Sequence, residues 1–148
     1  MAAMRSRPVQ ILLVEDSPGD VRLTQEVLKD ATIASELHVA GDGQEALELL
    51  RGDDGFSERP RPDLILLDLN LPRMNGHEVL RELRADPELC RIPVIMLTTS
   101  SSAADVESSY ALGANCFITK PIDFGCFTEV VRAIEQFWLR IVCLPSTA

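Results

Sequence analysis

Short apolar runs alternate with segments whose apolar residues recur every three or four positions, and this alternation predicts the elements one after another. "VQILLV", Val9 to Val14, reads as a strand. Ser17-Pro18-Gly19-Asp20 then supplies an N-cap serine, a proline at the first helical position and an acid three residues after the cap, so a helix follows to about Asp30. "ELHVA", Glu36 to Ala40, is a second strand, and Asp42 with Glu45 opens a second helix through "QEALELLR". Gly52 to Pro62 holds Gly, Pro and charge without a period and is expected to be a surface loop. Leu64 to Leu67 forms the third strand, and Asn75 with Glu78 caps a third helix, which Asp86-Pro87 ends or interrupts. Ile92 to Leu97 makes the fourth strand, Ser102 and Asp105 open a fourth helix that stops at Gly113, and Asn115 to Thr119 is the fifth strand. A last helix from about Asp123 carries Phe127, Val130, Val131, Ile134, Phe137 and Trp138 at helical spacings.

Five strands that are mostly apolar rather than alternating, each followed by a helix, predict a parallel sheet covered on both faces: a doubly wound α/β domain. The 148 residues suffice for one domain with a sizeable core, here spanning about residues 9–138 with an apolar extension over 139–148.

Composition narrows the function classes. A net charge of −9 opposes non-specific nucleic-acid binding, which relies on Lys and Arg to neutralise phosphates. No apolar run approaches the roughly 20 residues that span a bilayer. The amino terminus has two arginines but no apolar signal core behind them, so a cytoplasmic location is expected. Cys90, Cys116, Cys126 and Cys143 contain no C-x-x-C pair; reduced, mostly buried thiols are expected rather than a zinc site or a disulfide framework.

In open parallel sheets, ligands bind beyond the carboxyl ends of the strands at the switch point of the strand order. The residues expected there are Glu15-Asp16, Asp68, Thr98-Thr99 and Thr119-Lys120-Pro121. Carboxylates converging at one edge repel unless a cation lies among them, and an all-oxygen ligand set with room for water suits Mg²⁺. A lysine and a hydroxyl beside the metal complete what a phosphoryl group needs, and Asp68 is the central carboxylate available as nucleophile.

"ILLVEDSPGD", "LILLDLNLPRMNG", "IPVIMLTTS" and "ANCFITKPID" resemble the motifs of the receiver domain of two-component response regulators, from about Val9 to Trp138. The resemblance implies a flavodoxin-like three-layer α/β/α sandwich. It also implies that Asp68 accepts a phosphoryl group from a histidine kinase. Asp16, Asp68 and the backbone carbonyl of Asn70 would hold Mg²⁺, with Glu15 acting mainly through metal-bound water. Lys120 would pair with the phosphoryl oxygens and Thr98 would hydrogen-bond to them, while Phe117 follows the threonine as the switch aromatic. Many relatives carry Tyr at that position and Asp-Asp in place of Glu15-Asp16. In the family the Lys-Pro bond is usually cis, which is the expectation for Lys120-Pro121. Within the family, "VEDSPGDVRLTQEVL", the loop before the third strand, "LTTSSS" and "FWLRIVCLP" resemble stand-alone response regulators of bacterial phytochrome kinases, so a bacteriophytochrome histidine kinase is the implied partner.

Plainer assignments account for other positions. His38 and His77 have no partner at metal-ligand spacing and are assigned structural or exposed roles; Cys116 is assigned to the core, and Asn75-Gly76 only to the start of the third helix. Trp138, Leu139, Ile141, Val142 and Leu144 extend the apolar pattern past the last helix, which points to a homodimer through the fourth helix, fifth strand, last helix and tail. A haloacid-dehalogenase-like phosphatase would want a second acid where Asn70 stands, and a phosphorylation-independent scaffold would be expected to have a broken acidic site. A signalling protein without an output domain, promoting its own phosphorylation and dephosphorylation, is therefore expected rather than an enzyme acting on other substrates.

Overall fold

The computed structural model describes residues 7–52 and 61–145. Ten elements alternate: β1 (Val9–Val14), α1 (Pro18–Lys29), β2 (Ser35–Ala40), α2 (Gly43–Arg51), β3 (Leu64–Leu67), α3 (Gly76–Ala85), β4 (Val94–Thr98), α4 (Ala103–Ala111), β5 (Cys116–Thr119) and α5 (Phe124–Ile134). All strand pairs are parallel, in the order β2-β1-β3-β4-β5. This is the doubly wound α/β arrangement that the alternation predicts. Most of the loop expected over Gly52 to Pro62 lies outside the described residues.

The helices start where side chains satisfy their free N–H groups. Ser17, Asp42, Ser102 and Asp123 each accept from the backbone three residues on, and Asn75 and Glu78 form a reciprocal capping box at α3. Four of the caps sit within four residues of the carboxyl end of a strand, while Asn75 follows Leu67 by eight, so capping also fixes where the chain turns over the functional edge.

Side chains alternate across the sheet into two cores. Leu12, Val14, Ile65, Leu67, Val94 and Met96 face Ala46, Leu47 and Leu50 of α2 and Val79, Leu80 and Leu83 of α3. Val9, Ile11, Leu13, Leu64, Leu66, Ile95 and Leu97 face Leu28 of α1 and Phe127, Val131 and Ile134 of α5. Burying one such side chain stabilises by about 1.5–3 kcal/mol, which holds the strand ends in place despite the charges beyond them.

Beyond α5 the helix widens into a π-helical turn, Glu135–Leu139. Leu139 is buried in the second core, with Trp138 and Leu144 packed partly against it, whereas Phe137 and Ile141 are exposed. The expectation of mostly buried thiols is corrected: Cys90 and Cys116 are half-buried, while Cys126 and Cys143 are exposed. Cys126 sits in the first turn of α5 on its outward side, and Cys143 lies beyond the π turn, facing away from the core that its neighbour Leu144 packs against.

Candidate functional site

The strand order reverses between β1 and β3, and their register pairs Val14 with Leu67. The residues that follow, Glu15 and Asp68, therefore emerge side by side; Asp68 N–H donates to Val14 O at 3.0 Å and Glu15 N–H to Ala40 O at 2.9 Å. Carboxylate oxygens of Glu15, Asp16 and Asp68 all lie within 4.8 Å of one another. Glu15 and Asp68 are buried and Asp16 is exposed.

β4 and β5 pair Thr98 with Thr119, and Lys120 N–H donates to Thr98 O at 2.6 Å. This register delivers the lysine to the same edge. Its ammonium donates to Glu15 Oε1 at 2.5 Å, to Asp20 Oδ2 at 2.9 Å and to Asp68 Oδ2 at 3.5 Å. Burial alone would lower the Lys120 pKa, but the bonds to Glu15 and Asp20 outweigh it and raise the value, so the ammonium stays charged. Burial pushes the Glu15 carboxyl up to about 7; the hydrogen bond from Lys120 opposes that rise and the charge of Asp68 adds to it.

Three carboxylates thus share one ammonium while Asp16 stands beside them, and the excess of negative charge fits a divalent cation. The donor chemistry agrees: Glu15, Asp16 and Asp68 offer only hard oxygens. Asn70 follows on the exposed side, its N–H donating to Asp68 Oδ1 at 3.3 Å. Thr98 is fully buried, and its Oγ1 accepts from Ser100 N–H at 3.4 Å. Phe117 stands two residues before Thr119 on β5, partly buried against the first core, with its N–H donating to the Tyr110 hydroxyl at 3.2 Å.

Two contributors escape a sequence reading. Asp20 appears in sequence as a helix-start acid, yet its side chain binds Lys120, which is 100 positions away. Gly76 does more than begin α3. A Cβ on it would stand 2.3 Å from Asp68 O and 2.8 Å from Leu69 Cα, so only glycine lets α3 pack directly against the backbone of Asp68. Its N–H closes the loop onto Leu69 O at 2.8 Å. Within that loop Arg73 adopts a left-handed φ of 64°, and its guanidinium reaches Asp42 Oδ2 at 2.8 Å.

The Lys120-Pro121 bond, expected cis, is trans: no cis peptide bond occurs among the described residues, and trans is the lower-energy form of an X-Pro bond. His38 Nε2 contacts Gln10 Oε1 at 2.8 Å and His77 Nε2 contacts Ser109 Oγ at 2.9 Å, away from the acidic cluster. Cys116 is half-buried, and burial raises its thiol pKa.

A doubly wound sheet whose switch point gathers acids, a lysine and a strand-end threonine defines a receiver-type signalling module of flavodoxin-like fold. The chain belongs to the response regulator receiver domain family, whose pattern matches residues 11–132. Response regulator Rcp1 of Synechocystis sp. is 50% identical over 139 residues, covering 94% of this chain and 95% of that protein. The crystal structure of Mn(2+)-bound Rcp1 superposes with a TM-score of 0.91, covering 94% of this chain and 100% of that one. The phosphorylated cyanobacterial phytochrome response regulator RcpA, 46% identical, gives 0.92 and covers 95% of this chain and 100% of that one. The bacteriophytochrome response regulator AtBRR, 41% identical, gives 0.70 over 89% of this chain and 96% of that one. No helix among the described residues is long and apolar enough to cross a membrane.

Proposed function

We propose that this receiver is a phosphorylation-controlled switch with Asp68 as phosphoacceptor and Mg²⁺ as its metal. The observation that carries the reading is the position of Asp68, flanked by Glu15 and Asp16 and 3.5 Å from the Lys120 ammonium. An Asp68 carboxylate oxygen attacks the phosphorus of a phosphohistidine; the new P–O bond forms as the P–N bond breaks, and the imidazole leaves and takes up a proton. Asp16, Asp68 and the Asn70 carbonyl would hold the ion, with Glu15 behind them. When bound, the ion neutralises charge that builds on the phosphoryl oxygens. Lys120 pairs with one of those oxygens and Thr98 donates to another. The side chain of Phe117 follows the space that Thr98 vacates. The site promotes its own phosphorylation and slow hydrolysis.

The similarity to RcpA and AtBRR supports a bacteriophytochrome-type histidine kinase as phosphodonor, and Ile122 and Phe124, exposed just past Lys120, offer it an apolar rim. Exposed Tyr110, Phe137 and Ile141 support a homodimer through α4, β5, α5 and the tail. The acidic charge supports a protein rather than a nucleic-acid target; the reading takes 1–148 as one receiver domain in a cytoplasmic setting, supported by an amino terminus with no apolar signal core behind its arginines.

Incubation with Mg²⁺ and a small phosphodonor should add one phosphoryl group by intact mass, and Asp68→Asn should abolish it. Failure to form the adduct with either the small donor or a cognate kinase would sink the reading.

A further inference from the structure

Helix α4 is fixed to the body differently from its neighbours. α2, α3 and α5 each bury three apolar side chains, whereas Ser109 is the buried residue of α4. Polar bonds do the holding. Ser109 Oγ donates to Asp105 O at 2.8 Å. With its one proton so committed, it accepts from His77 Nε2 at 2.9 Å, which assigns the Nε2–H tautomer. The Asp105 carboxylate takes a short hydrogen bond from the Ser100 hydroxyl. Ser100 N–H in turn donates to Thr98 Oγ1 at 3.4 Å.

The path closes on itself. His77 follows Gly76, which is pressed against the backbone of Asp68 and bonded to Leu69. From the acceptor loop it therefore runs through His77, Ser109, Asp105 and Ser100 back to Thr98, so α4 is tied to both sides of the site. The longest bond of the ring is the one to Thr98. Turning the Thr98 hydroxyl toward a phosphoryl oxygen on Asp68 breaks that bond first and parts Ser100 from Thr98, with Ser100 O still accepting from Thr119 Oγ1 at 3.2 Å and the His77–Ser109 bond remaining as the tie of α4 to α3.

We propose that Ser109 and His77 are positioning residues that hold α4 in the arrangement seen here and so oppose the switch. The inference rests on the phosphoacceptor reading above. A bond made in one arrangement and lost in the other sets the population of the two, and a ligand's apparent affinity falls by the share of molecules that are competent to take it. Removing the tie should therefore strengthen binding of a phosphoryl mimic at a site these residues do not touch.

The test uses the full chain and its Ser109→Ala, His77→Phe and double variants, titrated with beryllofluoride in Mg²⁺ while amide exchange is followed across α4. Each single variant should bind about three- to tenfold more tightly, the range of one net hydrogen bond. Each should also exchange faster over α4 without beryllofluoride. The double variant should bind no more tightly than the singles, because both lose the same bond. Unchanged affinity, additive effects, or a lower melting temperature with unchanged affinity would overturn the proposal. If the unsubstituted chain itself takes up no beryllofluoride, the phosphoacceptor reading fails and this one falls with it; if that chain responds and the variants match it, only the present inference fails.

Discussion

The Lys120 ammonium lies closer to Glu15, at 2.5 Å, than to Asp68, at 3.5 Å. The lysine is thus anchored on the first strand end and only leans toward the third. A phosphoryl group on Asp68 would take a share of an ammonium that two other carboxylates already hold.

Lys120→Met should therefore destabilise the metal-free protein by about 3 kcal/mol at pH 7, because buried Glu15 and Asp68 lose their cation. Mg²⁺ should restore most of the loss. Urea unfolding with chelator and with Mg²⁺ measures both; equal midpoints for variant and parent in chelator would contradict the anchoring role.

Glu15 gives the pH dependence a definite sign. Its carboxyl is raised from 4.5 to about 7 in the folded protein, so the folded state binds more protons than the unfolded state between those values. Its contribution to stability is full below about 4.5 and is lost as pH rises through about 7. In chelator, the melting temperature of the parent should fall relative to Glu15→Gln across that window. Mg²⁺, which favours the ionised form, should shrink the difference.

Gly76→Ala should cost about 1–3 kcal/mol through overpacking, since its Cβ would meet the Asp68 carbonyl oxygen. Phosphoryl uptake should slow as well, because relief requires moving the acceptor's own backbone. Chemical unfolding and uptake from a small donor test the two halves separately.

Arg73 combines a left-handed backbone with an ion pair to Asp42. Arg73→Ala keeps the backbone cost and loses the pair, whereas Arg73→Gly loses the pair and recovers the cost. Glycine should therefore be the more stable substitution by about 1 kcal/mol, read from paired urea midpoints.

For the tail, Ile141→Asp should shift sedimentation toward monomer, and at concentrations where the parent is itself monomeric it should leave the unfolding midpoint unaltered, since Ile141 is exposed rather than part of either core. An unchanged sedimentation profile would count against the proposed dimer surface.

Local signals carried most of the architecture. Capping residues and apolar runs act within a few positions, so Ser17, Asp42, Asn75 and Ser102 could be read directly, and the strand ends followed from them. The gathering of Glu15, Asp16, Asp68 and Lys120 was legible because parallel strands deliver their carboxyl ends to one edge. Asp20 was not, since its bond to Lys120 depends on how α1 tilts over that edge. Nor was the close approach of Gly76, or the burial of Ser109: a serine in mid-helix looks solvated until α3 is seen to put a histidine beside it. The exposure of Cys126 and Cys143 likewise depends on which way each side chain faces once α5 and the tail are packed.

The contact between Gly76 and the Asp68 backbone bears on transplantation. An engineer who grafts the acceptor aspartate onto another parallel sheet would move a charge and leave behind its mould. The nine residues from Asp68 to Gly76, with an acid at the place of Asp42 to hold Arg73, carry the backbone that shapes the acceptor. Anything shorter would carry the chemistry without its geometry.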